Sequence, residues 1–482
     1  MRADQLPAAA PGTWSRRRSA KARKAPAQIR AATASLLGCL TAGAAVATGH
    51  ENSAVALVGT AVVAGAIILE RRRMASVLWA GVAFTAPMPG VRLTASLTET
   101  FTVNITLIDL MIVAALVTIL PDGLRGWRRV VPEGVVTAFG LLVAAGLLGT
   151  FFAPDVGASL VNLVKIVLAA AGSVVAMALW SPEPAALRRF AWLWFAGATI
   201  SAGWAAATPR SVSGRSLGLT THPNHFGLVC VLGVGLGLGL ALSTGGRGRA
   251  AALAGIVLLT TGIGLSGSRA AILGLIVTIG MTAVLTRKFR LLVAAGVVVV
   301  LAGMTVIAGI VTIPASNALS RLGGGGGSAL SDAERDKFAA EAVASISRHP
   351  VTGQGFEFAQ AAHNIYLQVL VVGGPLALLS FVVVGGLIVR AGLRASSAER
   401  GQPDGAVLAG LTAGYSGYLC SGAFVNILWD RYLWTFVGLL VILSASTRRP
   451  RPEPAEPERD GPAHGAGPGP GLALAAGHLP GS

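Results

Sequence analysis

Fourteen apolar runs, most of them near twenty residues and separated by short basic clusters, limit what this chain can fold into. A helix needs about 20 mostly apolar residues to cross a bilayer. Hydrocarbon offers the backbone no water, so such runs must close their hydrogen bonds internally as helices. The runs are 31–49, 53–69, 74–90, 103–120, 134–153, 160–180, 190–207, 224–242, 250–266, 270–286, 291–313, 364–389, 406–425 and 432–446. The third and the last carry the weakest signal. Charged residues make up only 12% of the chain, against about a quarter in soluble domains. The expectation is an all-α polytopic membrane helix bundle of about 14 transmembrane helices.

Charge sets the orientation, because cytoplasmic loops collect Lys and Arg. With the basic N-terminus inside and strict alternation, 28 of the 38 Lys and Arg fall on inner segments and nine on outer ones. Every inner connection is basic. Both termini are then cytoplasmic in a multi-pass plasma-membrane protein, and a large extracytoplasmic loop, 314–363, lies between spans 11 and 12. The expected organisation is a basic segment 1–30, N-terminal helices 31–189, a core 190–446 and a disordered cytoplasmic tail 447–482, rich in Pro, Gly and Ala.

The net charge of +17 does not indicate nucleic acid. The basic residues lie in short clusters, with no basic domain and no aromatic platform for single strands. Cys39, Cys230 and Cys420 sit inside apolar runs and give neither metal-ligand spacing nor a disulfide framework. The run from Ala31 to Thr48 is longer than a signal-peptide core and reads as a retained span. Gly323 to Gly327 lacks the Lys-Ser/Thr of a phosphate loop and reads as a hinge. Gly233, Gly235, Gly237 and Gly239 in span eight read as close helix packing.

Chemistry is expected among the outer basic residues, which run against the general bias. They are Arg92, Arg210, Arg215, Arg269, Arg321, Arg335, Lys337, Arg348 and Arg431. Arg269 is the sharpest case, held between two apolar spans with only a tight turn to expose it. A charge there needs a partner or a wet cavity; the plainer alternative is an Arg snorkelling from a helix end. Arg215 taken alone is a solvated loop charge, and His222 and His225 read as interfacial polar residues. His363, ahead of Asn364 at the mouth of span twelve, is either a proton acceptor or a simple helix cap. His349, followed by Pro350, reads as structural. Guanidinium groups bind phosphate oxygens bidentately and stay charged, so several of them facing outward suit an anionic, lipid-linked ligand. They would also stabilise a diphosphate as leaving group. No outer Asp-x-Asp motif calls for a divalent metal.

Four stretches in order resemble the O-antigen ligase and O-antigen polymerase family of bacterial inner-membrane glycosyltransferases. They are GRSLGLTTHPNHFG (214–227), LSGSRAAILGL (265–275), ERDKFAAEAVASISRHPVTGQGF (334–356) and AHNIYLQVLVVGGPLALL (362–379). The likeness covers roughly residues 190 to 445. It implies transfer of a glycan from undecaprenyl diphosphate to an acceptor hydroxyl on the outer face, with no nucleotide sugar, metal or other cofactor. The acceptor would be a lipid, a protein or another glycan, which leaves ligase and polymerase both open. Arg215 and Arg269 match arginines that hold the diphosphate. His363 matches a histidine that activates or orients the acceptor. Arg335 matches an arginine of the large loop, although the usual pattern has Gly before it and Trp shortly after, where this chain has Glu334 and Phe338. The candidate site is therefore His363 and Arg269 as catalytic residues, with Arg215, Arg335, Arg210 and Asn364 binding substrate. The competing class is a transporter or flippase of lipid-linked oligosaccharide. Against it stand the lack of an internal repeat and the crowding of charge towards one face.

Overall fold

The computed structural model describes residues 71–90, 92–96, 102–120, 127–208, 211–212, 215–290, 293, 297, 328–356, 363–425 and 430–447. The expected spans 31–49 and 53–69, nearly all of 291–313, the segment 1–30, Arg210, Arg321, the five-glycine run and the tail beyond Thr447 lie outside them. In chain order the helices are α1 (Arg71–Thr85), α2 (Leu107–Ile119), α3 (Glu133–Thr150), α4 (Val156–Val167), α5 (Ser173–Trp180) and α6 (Pro184–Ala207). They continue with α7 (Pro223–Ser243), α8 (Gly246–Ser266), α9 (Arg269–Thr286), α10 (Ser328–Arg348), α11 (Ile365–Ala398), α12 (Pro403–Ser421) and α13 (Arg431–Ser446). A π-helical turn, Leu168–Gly172, joins α4 to α5.

Among the described residues, six helices are long and apolar enough to cross a membrane: α3, the joined α4–α5, α7, α8, α9 and α11. The chain is a helical, multi-pass membrane protein. Val164, Ile276 and Leu379 show the apolar outer surface that lipid requires. The expected spans 74–90, 103–120 and 432–446 appear as the shorter α1, α2 and α13, of 15, 13 and 16 residues. α6 and α12, expected as 190–207 and 406–425, are not among the six. α12 packs against α7, α9, α11 and α13, so its small Gly, Ala, Ser and Thr side chains meet protein and have little need of strong hydropathy. α11 runs past its expected end at 389 to Ala398. Its 34 residues at 1.5 Å each give about 50 Å, well beyond a hydrocarbon core of about 30 Å. Arg390 and Arg394 lie in that overshoot.

Two short antiparallel ribbons interrupt the helical pattern. Strand β1 (Arg92–Ser96) pairs with β2 (Thr102–Thr106), Arg92 opposite Thr106. The β-branched TVNIT therefore takes the first residues of the run at 103–120 as strand. Thr106 then starts α2 in a reciprocal capping box with Asp109. Strand β3 (Ser211–Val212) pairs with β4 (Arg215–Ser216), Val212 opposite Arg215.

α7 is the buried axis of the bundle, packed by α6, α8, α9 and α12. Its glycines divide between two faces. A Cβ on Gly235 would lie 2.7 Å from Gly410 O, so this face admits the α12 backbone directly. One on Gly237 would lie 2.6 Å from the Phe195 ring of α6. The spacing thus serves close packing on both sides, as the sequence suggested.

A kink in α11 ties the large loop to the bundle. Gly373, Gly374 and Pro375 break the helix there, Gly374 at φ 65°. Pro375 has no N–H for Val371 O, a bond the membrane interior does not readily forgo. The loop after α10 supplies it: Gln354 N donates to Val371 O at 2.7 Å and Gly355 N to Val372 O at 2.9 Å. The fully buried Phe356 follows, its N–H on Ser159 Oγ at 2.7 Å and its carbonyl accepting from Asn162 Nδ2 at 3.1 Å. α10 is held across α11 through Ala342, Ile346, Leu367 and Val371. This anchor fixes where the polar front of α10 can reach.

Candidate functional site

The N-termini of α7, α9, α11 and α13 meet at one end of the bundle, while Arg188 and Asp404 pair at 3.4 Å at the opposite end. Orphan N–H groups and aligned dipoles make helix N-termini favourable for anions. The α8–α9 turn is tight: Gly267 sits at φ 61°, and the Ser268 side chain accepts from Ala271 N to start α9 at Arg269. A Cβ on Gly227 would lie 2.9 Å from Ser266 Oγ, so only glycine lets the first turn of α7 meet this turn so closely.

Arg215 joins the two. It is 8% exposed, its Nε donating to Ser266 O at 2.8 Å and its Nη2 to Asn224 Oδ1 at 2.6 Å. The solvated-loop reading of Arg215 is therefore corrected. A charge this buried has to be matched by acceptors, and both come from neighbouring helix ends. Arg269 forms an ion pair with Asp332 of α10, and Arg335 reaches the same carboxylate at 3.4 Å. One carboxylate between two guanidiniums places negative charge where a phosphate oxygen would fit.

His363 completes this side. It adopts φ 43°, a left-handed conformation uncommon for a residue other than glycine. Its Nδ1 is buried and meets no partner among the described residues. The Phe338 ring packs on it at 5.6 Å, so an aromatic side chain does stand there although the Trp of the usual pattern is missing. Burial, then the Arg335 charge, lowers its pKa. Asn364 caps α11, its Oδ1 accepting from Tyr366 N at 2.9 Å and Leu367 N at 3.1 Å. That cap orients the backbone on which His363 sits.

Sequence reasoning passed over several residues here. His222 caps α7 by accepting from Asn224 N at Nδ1, 3.1 Å. Burial, then His225 and Arg215, pushes its pKa down to about 3. His225 lies 3.5 Å from Asp430, whose Oδ2 accepts from Tyr432 Oη at 2.7 Å. Both histidines, read as interfacial, belong to the polar end. Arg431 makes a bidentate pair with Asp109 at 2.9 Å for both contacts. Asp332, Asp430 and Asp109 each also reach a partner remote in sequence, Arg269, His225 and Arg431, and no spacing signals those pairings. His349 packs against Phe152 at 5.6 Å. Among the described residues, no three His, Cys, Asp or Glu gather to hold a metal ion.

The family model for O-antigen ligase matches residues 254–382. That segment is similar to the O-antigen ligase family. It contains Arg269, Asp332, Arg335, His363 and the kinked half of α11, whereas Arg215, Asn224 and Asp430 lie outside the matched stretch. The matched segment thus supplies one wall of the polar end, and α7 with the start of α13 supplies the other. No curated protein matches the chain.

Proposed function

We propose that this protein is a membrane glycosyltransferase of ligase or polymerase type. It moves a glycan from undecaprenyl diphosphate to an acceptor hydroxyl at the extracytoplasmic face, in cell-surface polysaccharide or glycoconjugate assembly. The match to the O-antigen ligase family supports the class of enzyme. The observation that carries the reading is the convergence of Arg215, Arg269, Arg335 and His363, from four separate stretches, on one end of the bundle. The basic loops gather towards the other end, which supports the outer assignment of the polar end and the topology of about 14 spans with the loop outside.

In this reading Arg269 and Arg335 take the diphosphate, which displaces the Asp332 carboxylate from between them. Arg215 holds the site's floor through Ser266 and Asn224 and adds positive charge to it. The arginines stabilise the diphosphate as it leaves with the bonding electron pair. His363, neutral beside Arg335, donates one ring N–H to the acceptor oxygen and orients it over the anomeric carbon. Asn364 sets that histidine's backbone. Arg210 is proposed as a further contact to the donor.

Purified protein given a lipid-diphosphate glycan tests this. Wild type should transfer the glycan, with Arg269→Ala and His363→Ala each losing most of the activity. Equal activity in both variants would sink the site. Translocation of the lipid without cleavage would support a flippase instead.

A further inference from the structure

Lys165 is the only Lys or Arg, and Asp109 the only Asp or Glu, inside the fourteen apolar runs. Lys165 stands about 14 Å along the span that starts at Val156 and ends at Trp180. A charge inside a membrane span is costly unless it meets a partner or a wet cavity. The fold gathers these two residues with Arg431: the charges that act on Lys165 are those of Arg431 and Asp109. Yet Lys165 and Asp109 do not pair.

Asp109 is engaged elsewhere. Its Oδ1 accepts from Arg431 Nε at 2.9 Å. Its Oδ2 accepts from Arg431 Nη2 at 2.9 Å, from Thr106 Oγ1 at 2.8 Å and from Thr106 N at 3.0 Å. An ammonium carries three N–H donors. Among the described residues Lys165 Nζ has one acceptor, Asn162 Oδ1 at a long 3.4 Å, and no ion pair. Asn162 is held in place, its Nδ2 donating to Phe356 O at 3.1 Å. Two cations therefore share one carboxylate, and the cluster is one negative charge short.

The surroundings indicate what supplies that charge. Val164, the neighbour of Lys165 on α4, is 62% exposed on the apolar surface, so this helix meets lipid one residue away. Arg431 opens α13, where orphan N–H groups favour an anion, and its side chain is 19% exposed. A phosphate can accept from an ammonium and a guanidinium together. An anion that arrives from the lipid side is a lipid headgroup.

We infer that Lys165 and Arg431 form a second anion site, built from other residues than the arginines proposed for the donor, and that it takes the phosphate of a membrane lipid. The same group is carried by a polyprenyl phosphate and by an anionic phospholipid of the bilayer. The inference does not depend on the transferase reading, since it rests on the charge left unmatched at α4 and α13.

The test counts bound lipid by native mass spectrometry on full-length protein in nanodiscs of phosphatidylcholine, whose phosphate is balanced by its own choline. Undecaprenyl phosphate is added in one arm and phosphatidylglycerol in the other. Wild type should hold one more phosphate lipid than Lys165→Met or Lys165→Gln, with affinity at that site at least about tenfold weaker in both variants. Lys165→Arg, which keeps the charge, should bind as wild type does. Arg269→Ala should retain this lipid; its loss there would merge the two sites and overturn the inference. Retention in the undecaprenyl arm alone assigns the site to a carrier lipid, and equal retention in both arms assigns it to an anionic phospholipid. Equal lipid counts and affinities in wild type, Lys165→Met and Lys165→Gln in both arms would overturn it and leave Lys165 a snorkelling side chain.

Discussion

Replacing Gly355 by Ala should loosen the loop anchor without unfolding the bundle. Gly355 sits at φ 74°, and an added Cβ would meet Ser159 Oγ at 2.5 Å and Thr150 Cα at 2.7 Å. The left-handed conformation costs an alanine about 1–2 kcal/mol. Overpacking against backbone adds about 1–3 kcal/mol. Releasing the anchor instead exposes Phe356, about 1.5–3 kcal/mol, and breaks the bonds to Val371 O and Val372 O, about 0.5–1.5 kcal/mol each. The strain of about 2–5 kcal/mol thus rivals the cost of release, about 2.5–6 kcal/mol. The variant should populate an opened anchor substantially, where wild type keeps it closed. Hydrogen exchange read by mass spectrometry should show faster exchange over 345–356 and the turn of α11 around Gly373, with α7 and α12 unchanged. Gly264→Ala, where an added Cβ meets nothing within 4 Å, is the control. Unchanged protection over 345–356 in Gly355→Ala would refute the account of the anchor.

Two further outcomes follow from the same geometry. Asp332→Asn removes the carboxylate that competes for Arg269 and Arg335, so undecaprenyl diphosphate should bind about tenfold tighter, equivalent to about 1.4 kcal/mol. Weaker binding in a calorimetric titration would show that Asp332 positions the arginines and does not stand in for the ligand. Folded His222 protonates only near pH about 3, against 6.5 when unfolded. The unfolded state therefore binds more protons between those values, and stability should fall as pH drops below 6.5. His222→Asn, which keeps a capping acceptor, should reduce that acid loss of melting temperature; an unaltered slope would remove His222 from the cause.

Much of the architecture was legible because hydrocarbon permits so few solutions. Apolar runs such as 224–242 and 270–286 named their own helices, α7 and α9, and the alternating glycines of α7 announced close packing. The hairpin before α2 was hidden inside an apolar run, since TVNIT suits strand and lipid equally. α12 and α6 showed why hydropathy misleads for helices lined by protein. At the site, Arg269 and His363 were visible because charge beside lipid demands a reason. Arg215 looked solvated since nothing in its neighbourhood hints at Ser266, 51 residues away. The carboxylates were harder still: Asp109 and Arg431 meet across 322 residues, and no local pattern encodes that pairing. TGQGF appeared only as part of a family stretch, while its role, completing the hydrogen bonds of a broken helix, depends on a kink that lies beyond it in the chain.

The central claim is that guanidinium groups at this end of the bundle hold a lipid-linked diphosphate. The most direct measurement is a binding titration of undecaprenyl diphosphate to purified wild type, Arg215→Ala and Arg269→Ala. The loss of a charge-assisted bond, about 1.5–3 kcal/mol, predicts roughly 10- to 100-fold weaker binding in each variant. Equal affinity in all three proteins would contradict the claim.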